Sequence, residues 1–175
     1  LQSGLQMAEV DARSFDVTFS LECHDPTWYD PATFTENLNA QELSAFVVPF
    51  VVPGDMWLGG TTQLYATVNN LGTWRVYPII TITGPYERLI LTNQATGASF
   101  TLGVALLAGE TIEVDLRPGH QTITRDGAVA LDELESGNIV DWYLAPGDNQ
   151  INGQGAGVTS GTRIQFSYNP RYIAL

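Results

Sequence analysis

The chain has 175 residues, 44% of them apolar and 15% charged, and 19 acidic side chains against 7 basic ones give it a net charge of −12. That is globular composition, enough for one domain with a core or one domain plus an arm, and not a disordered tail. So acidic a chain repels phosphate backbones and has no electrostatic drive toward anionic lipid, and no apolar run reaches a membrane span, so nucleic acid and membrane insertion are excluded as partners.

Residues 1 to 14 are polar and read as an irregular linker. Phe15 to Glu22 alternates cleanly, with Phe15, Val17, Phe19 and Leu21 on one side, and predicts a strand with one buried face. Pro26 and Pro31 stop it within CHDPTWYDP. Residues 32 to 43 carry weak helical spacing at Phe34, Leu38 and Leu43 and read as a loop or a short helix. Ala45 to Val52 is the most apolar stretch, with Pro49 at its centre. A central strand cannot spare that N–H, so the stretch reads as an edge strand or extended arm covered by its own domain or by a neighbouring subunit.

From Gly59 onward the pattern is regular. TTQLYATVNN, RVYPIITITG, RLILTNQ, SFTLGVALL, ETIEVDL, HQTITRD, AVALDEL, IVDWYLA and TRIQFSYNPRYIAL read as strands. LGTW, ATGA, Ala108-Gly109, Pro118-Gly119, Asp126-Gly127 and PGDN read as turns, and NGQGAGVTSG as a Gly-rich loop. Eight or nine short strands at spacings near ten residues predict an all-β, two-sheet β-sandwich of jelly-roll type. The domain reading is 1–14 linker, 15–58 leading strand and arm, 59–175 sandwich, with 15–175 forming one domain. The chain begins Leu-Gln-Ser-Gly rather than with Met, which suggests a piece of a longer protein.

Nothing in the sequence reads as catalytic. His24 and His120 are far apart and lie in turn contexts, and no Gly-x-Ser-x-Gly elbow supplies a nucleophile. The acidic pairs, Glu110 with Glu113, and Asp132 with Glu133, Glu135 and Asp141, read as solvated faces. A glycosidase needs two carboxylates facing across a cleft. PGDN and Asp132 to Glu135 offer oxygen ligands for calcium, but no DxDxDG loop is present. One cysteine, Cys23, excludes an internal disulfide and a cysteine-built metal site. NGQGAGVTSG lacks the Gly-Lys-Ser/Thr ending of a phosphate loop. No cofactor is expected.

The aromatic residues are the binding candidates: Trp28, Trp57, Trp74 and Trp142, with Tyr65, Tyr77, Tyr86 and Tyr143. A flat ring suits the C–H face of a pyranose, although aromatics in strands are usually core. Trp142 and Tyr143 are adjacent in a predicted strand and point to opposite faces, so one is core and the other exposed. Trp74 lies in a turn. Trp74, Trp142 and Tyr143 are therefore the candidate sugar-stacking residues.

The ordered series NNLGTWRVYPIITITGP, LTNQATGASFTL, LLAGETIEVDL, RDGAV, LAPGDNQI and YNPRY resembles the C-terminal domain of phage distal tail proteins and their prophage relatives, baseplate-hub components of long-tailed phages. The leading LECHDPTWYDP is similar to the start of that domain, so the resemblance runs from about residue 15 to 175, weakest over 31 to 58. It implies a galectin-like or carbohydrate-binding-module-like sandwich following an N-terminal ring-forming domain. It implies no catalytic residues. What it marks are turn positions: Gly72, Gly84, Gly109, Asp126, Gly127, Pro146, Gly147 and Asn149. It also implies other tail and baseplate proteins as partners, and a hexameric ring for the complete protein, with the piece alone monomeric. The location implied is the virion, or the bacterial cytoplasm before assembly. The expected function is a non-enzymatic structural module of a phage or prophage tail tip that aids host-surface attachment. The alternative is a carbohydrate-binding module that stacks host-surface glycans on exposed aromatics. A small glycan hydrolase ranks last.

Overall fold

The computed structural model describes residues 5–11, 14–19, 25–41 and 63–173. In chain order the strands are β1 (Leu5–Asp11), β2 (Ser14–Phe19), β3 (Thr27–Tyr29), β4 (Phe34–Gln41), β5 (Gln63–Asn70), β6 (Ile79–Thr83), β7 (Arg88–Asn93) and β8 (Ser99–Leu102). They continue as β9 (Thr111–Asp115), β10 (Thr122–Arg125), β11 (Ala128–Val129), β12 (Leu134–Gly137), β13 (Gly147–Ala156), β14 (Arg163–Tyr168) and β15 (Arg171–Ile173). A single 3-10 turn, Leu131–Glu133, is the only helical element among the described residues.

Eleven of these strands form one antiparallel array in the order β11-β10-β9-β6-β14-β4-β5-β13-β7-β8-β12. It folds into two layers at β4. Phe34 to Asn39 pair with β14, and Ala40 and Gln41 pair with β5. Alternation does the rest, because a strand sends every second side chain to one face. Ile80 and Ile82, Ile112 and Val114, Ile123, Ile164 and Phe166 fill the core from one layer. Leu64 and Val68, Leu89 and Leu91, Phe100, Leu102 and Ile151 fill it from the other. The result is an all-β sandwich. Two small sheets accompany it, β1 with β2 and β3 with β15.

Trp142 closes the core from the loop between β12 and β13 and is fully buried. Its ring stacks on Phe166 of one layer, with centroids 5.9 Å apart and planes at 15°. It meets Phe100 of the other layer edge-on at 6.3 Å and 69°. Both geometries are favoured for aromatic pairs. The indole N–H finds no acceptor among the described residues, so packing rather than hydrogen bonding holds the ring.

The structure differs from the sequence reading in several places. Leu5–Asp11 is a strand, antiparallel to β2, rather than an irregular linker. Residues 34 to 41 form β4 rather than a loop or helix, since a spacing of four, as between Phe34 and Leu38, satisfies a strand face as well as a helix face. AVALDEL is not one strand but β11, a 3-10 turn and the start of β12. IVDWYLA is a loop with one isolated bridge, Val76 to Leu144, because its apolar residues are buried from a loop rather than from a ladder. NGQGAGVTSG is half strand: β13 runs through Ala156. Its Gly155 permits close approach, as a Cβ there would collide with the Arg88 carbonyl oxygen. Ala45 to Val52, the expected edge arm, lies outside the described residues.

Asp126 and Gly127 form the expected two-residue hairpin turn, with φ of 47° and 84°, between Arg125 and its partner Ala128. Both positive values match the turn type that suits right-twisted strands. Gly127→Val should therefore cost about 1 kcal/mol or more through backbone strain. The denaturant midpoint checks this; an unchanged value would contradict the turn assignment.

Candidate functional site

Two segments far apart in sequence meet at one end of the sandwich. Asn169 donates from Nδ2 to the carbonyls of Asp30 (3.1 Å) and Ala32 (3.0 Å), and the Asp30 N–H donates to the Pro170 carbonyl at 2.8 Å. Next to this, Arg171 is buried and donates from Nη2 to both oxygens of Asp25, at 2.7 and 2.6 Å, and from Nε to the Thr27 hydroxyl at 3.0 Å. Its guanidinium also lies 4.9 Å over the Tyr29 ring. A buried arginine needs such a partner, since an unpaired charge there would be expensive. The DPTWYDP and YNPRY segments thus clasp each other. Gly72 fits the same place, since a Cβ on it would collide with the Arg171 backbone.

Three buried asparagines organise the next shell. Asn149 donates from Nδ2 to the carbonyls of Ala145 (2.8 Å) and Gly147 (3.0 Å) and accepts at Oδ1 from the Ala145 N–H (2.9 Å). Asn93 donates to Asn149 Oδ1 (3.0 Å) and to the Tyr143 carbonyl (2.9 Å). Asn70 donates to the Trp74 and Leu144 carbonyls at 2.9 and 3.3 Å and accepts from the Gly72 N–H at 3.0 Å. A loop that enters a core must satisfy its own backbone polar groups, and these amides do so. They fix the loop that carries Trp142 inward.

The same loop presents Tyr143 outward. Val76 and Leu144 exchange backbone hydrogen bonds at 3.0 and 2.8 Å, which puts Tyr77 opposite Tyr143 with ring centroids 6.1 Å apart. The guanidinium of Arg75 sits over this pair and over Trp74, 5.7 to 5.8 Å from all three rings. Tyr77 also borders a groove of about 650 Å³, lined further by Tyr29, Arg117, His120, Asn169 and Arg171.

The predicted site residues separate clearly. Trp74, 38% exposed, and half-buried Tyr143 belong to this platform; Trp142 is fully enclosed and offers no face to a sugar. Of the marked turn positions, Gly109, Asp126, Gly127 and Gly147 have positive φ. Gly72 and Gly84 are close-approach glycines, a Cβ on Gly84 colliding with the Leu107 carbonyl. Pro146 is exposed, and Asn149 is a buried network residue rather than a turn residue. Sequence reasoning missed Arg75, Arg171, Asn70 and Asn93. The signal for Arg75 was its place between Trp74 and Tyr77, two aromatics already singled out.

Several carboxylates are matched to arginines, while Glu113, Asp132 and Asp141 have no arginine partner among the described residues. Arg125 bridges Glu110 (2.9 Å) and Glu133 (3.2 Å), Arg88 holds Glu135 at 2.7 Å, and Arg117 holds Asp115 at 2.6 Å. Burial pushes the Asp115 carboxyl up, but hydrogen bonds from the Arg117 guanidinium and N–H outweigh it and the net shift is downward. Asp132 and His120 are exposed. Asp148 of PGDN accepts from Asn69 at 2.7 Å. Among the described residues no three His, Cys, Asp or Glu side chains gather to hold a metal. His24, Cys23 and Trp57 lie outside them.

Asp25 makes the clasp pH-sensitive. Hydrogen bonds from the Thr27 and Tyr29 hydroxyls hold its carboxyl well below the usual range, burial opposes them, and Arg171 adds to the lowering. A carboxyl depressed on folding contributes stability above its unfolded value and loses it as pH falls through the folded value. The stability gap between wild type and Asp25→Asn should thus be full at about pH 7 and shrink as pH drops below about 4. Denaturant midpoints across that range test this; a gap independent of pH would contradict it.

Comparison with known proteins gives one family. The model of the siphovirus-type tail component, C-terminal domain, matches residues 71–172. That span runs from the LGTW turn into β15 and includes Arg75, Trp142, the Asn93–Asn149 pair and Arg171. No curated protein matches the chain. No described helix is long and apolar enough to cross a membrane. With more than half of its length matched, the chain belongs to the siphovirus-type tail component family through its C-terminal domain, and it is a structural phage tail protein.

Proposed function

We propose that this sandwich is the C-terminal module of a distal tail protein, carried outward from a ring-forming domain at the tail tip or baseplate hub. The observation that carries the reading is the family match over residues 71–172. The arginine-matched carboxylates support a role without catalysis: Glu110, Glu133 and Glu135 are each engaged by arginine, where a glycosidase would need an opposed pair. The partners are other tail and baseplate proteins, and the complete protein forms a hexameric ring in the virion.

One observation favours a second role within this one, attachment to a host-surface glycan. Trp74, Tyr77 and Tyr143 are accessible and converge on Arg75 beside a groove. A ring platform of this kind can take the C–H face of a pyranose.

Light scattering on the complete gene product should give a ring-sized oligomer. A clean monomer at micromolar concentration would count against the tail-tip reading. A screen of glycan and ester substrates should show no turnover. Turnover abolished by Asp132→Asn would move the protein to an enzyme class.

A further inference from the structure

We propose that the Arg75 platform and its adjoining groove bind an acidic saccharide, a sugar carrying a carboxylate or phosphate, with Arg75 gripping the anionic group. This rests on the glycan-attachment reading above and adds the charge of the ligand to it.

The distribution of arginine is the first argument. Arg88, Arg117, Arg125 and Arg171 each hold a carboxylate, whereas exposed Arg163 has neither a carboxylate nor an aromatic ring beside it among the described residues. Arg75 is exposed and has neither a carboxylate nor any other hydrogen-bond acceptor among the described residues, although the chain carries a net charge of −12. Three aromatic rings hold its guanidinium instead. Contact with ring faces positions the cation without using its N–H groups. Those groups remain free to form a paired hydrogen bond with a carboxylate or phosphate.

The surroundings are the second argument. Tyr77 belongs both to the platform and to the groove, so the two are one continuous surface. The groove volume of about 650 Å³ falls within the usual range for small-ligand sites. Arg117 and His120 line it, and its one acidic lining residue, Asp25, is already neutralised by Arg171. Arg117 spends Nε and Nη2 on Asp115 and keeps Nη1 unengaged among the described residues. With Arg117 matched to Asp115 and Asp25 to Arg171, Arg75 supplies the surplus positive charge beside flat apolar rings, which suits a sugar with one negative group. A single-stranded nucleic acid also offers rings and phosphate, but its many charges would face the acidic remainder of the chain.

The test uses the whole chain and matched probes in calorimetry at low salt. The probes are polygalacturonate against its fully methyl-esterified form, phosphorylated dextran against dextran, and oligothymidylate. At least one acidic polymer should bind about tenfold more tightly than its neutral partner, in keeping with one charge-assisted interaction. The pair that discriminates identifies carboxylate or phosphate as the anion. Arg75→Gln should erase the preference and leave the melting temperature unchanged, while Tyr143→Ala should weaken acidic and neutral forms together. Arg88→Gln, away from the platform, should change neither. Equal binding of acidic and neutral forms, or a preference that survives Arg75→Gln, would overturn the acidic-ligand proposal and leave sugar stacking standing. No binding of any saccharide would overturn both. Oligothymidylate bound more tightly than every saccharide would overturn the proposal in favour of nucleic acid.

Discussion

The indole of Trp142 lies between Phe166 of one layer and Phe100 of the other, and the rest of the domain is arranged around that contact. A ring of this size sets the separation of the two sheets and removes a large apolar area from water. It comes from a loop, however, and a loop brings peptide groups into the core with no ladder to satisfy them. Asn70, Asn93 and Asn149 answer that need with side-chain amides bonded to the backbone around the loop. Each such bond contributes about 1 kcal/mol net, whereas a buried group left unpaired costs about 1–3 kcal/mol, so the network matters most through what it prevents. Because Trp142 points inward, its neighbour Tyr143 faces outward, and the constraint that closes the core also positions the aromatic platform.

Charge follows a similar economy. On this acidic chain most of the described arginines are engaged by a carboxylate. Arg171 joins two segments far apart in sequence through Asp25, and Arg125 ties the Glu110 turn to the 3-10 turn through Glu133. The exposed pairs, such as Arg88 with Glu135, add little stability by themselves. Arg75 contacts three aromatic rings and no carboxylate among the described residues, which separates it from this structural set.

Much of the fold was legible because strands with one buried face write a period-two pattern. Ile80 and Ile82, Ile112 and Val114, and Ile164 and Phe166 are that pattern, and all are buried. Asp126-Gly127 was legible because few residue pairs tolerate positive φ twice in succession. The failures have physical causes. Phe34 and Leu38 are four apart, which fits either a helix or a strand, and pairing with β14 decides between them. Gly153 and Gly155 read as loop residues, yet they sit in β13, and at Gly155 the neighbouring strand comes too close for a side chain. The apolar run around Trp142 read as a strand because periodicity reports burial, not the backbone that achieves it. Asn70, Asn93 and Asn149 stand at strand ends, where asparagine ordinarily signals a turn. Only tertiary packing turns them into core residues. The clasp of Asp25 with Arg171 joins residues far apart in sequence, which no local pattern reveals. The platform was half legible: Trp74 and Tyr143 were identified by their turn and pairing contexts, but the arginine between them was not.

The central claim is that the loop carrying Trp142 is as firmly fixed as the strands. Amide hydrogen exchange tests it at Val76 and Leu144, whose N–H groups bond across to each other's carbonyls from outside any regular strand. If the buried asparagines and Trp142 pin this loop, both amides should exchange only through global unfolding, as slowly as the amide of Ile151 in β13. Rapid exchange at Val76 and Leu144 while β13 remains protected would show a loop that opens independently, and would contradict the account.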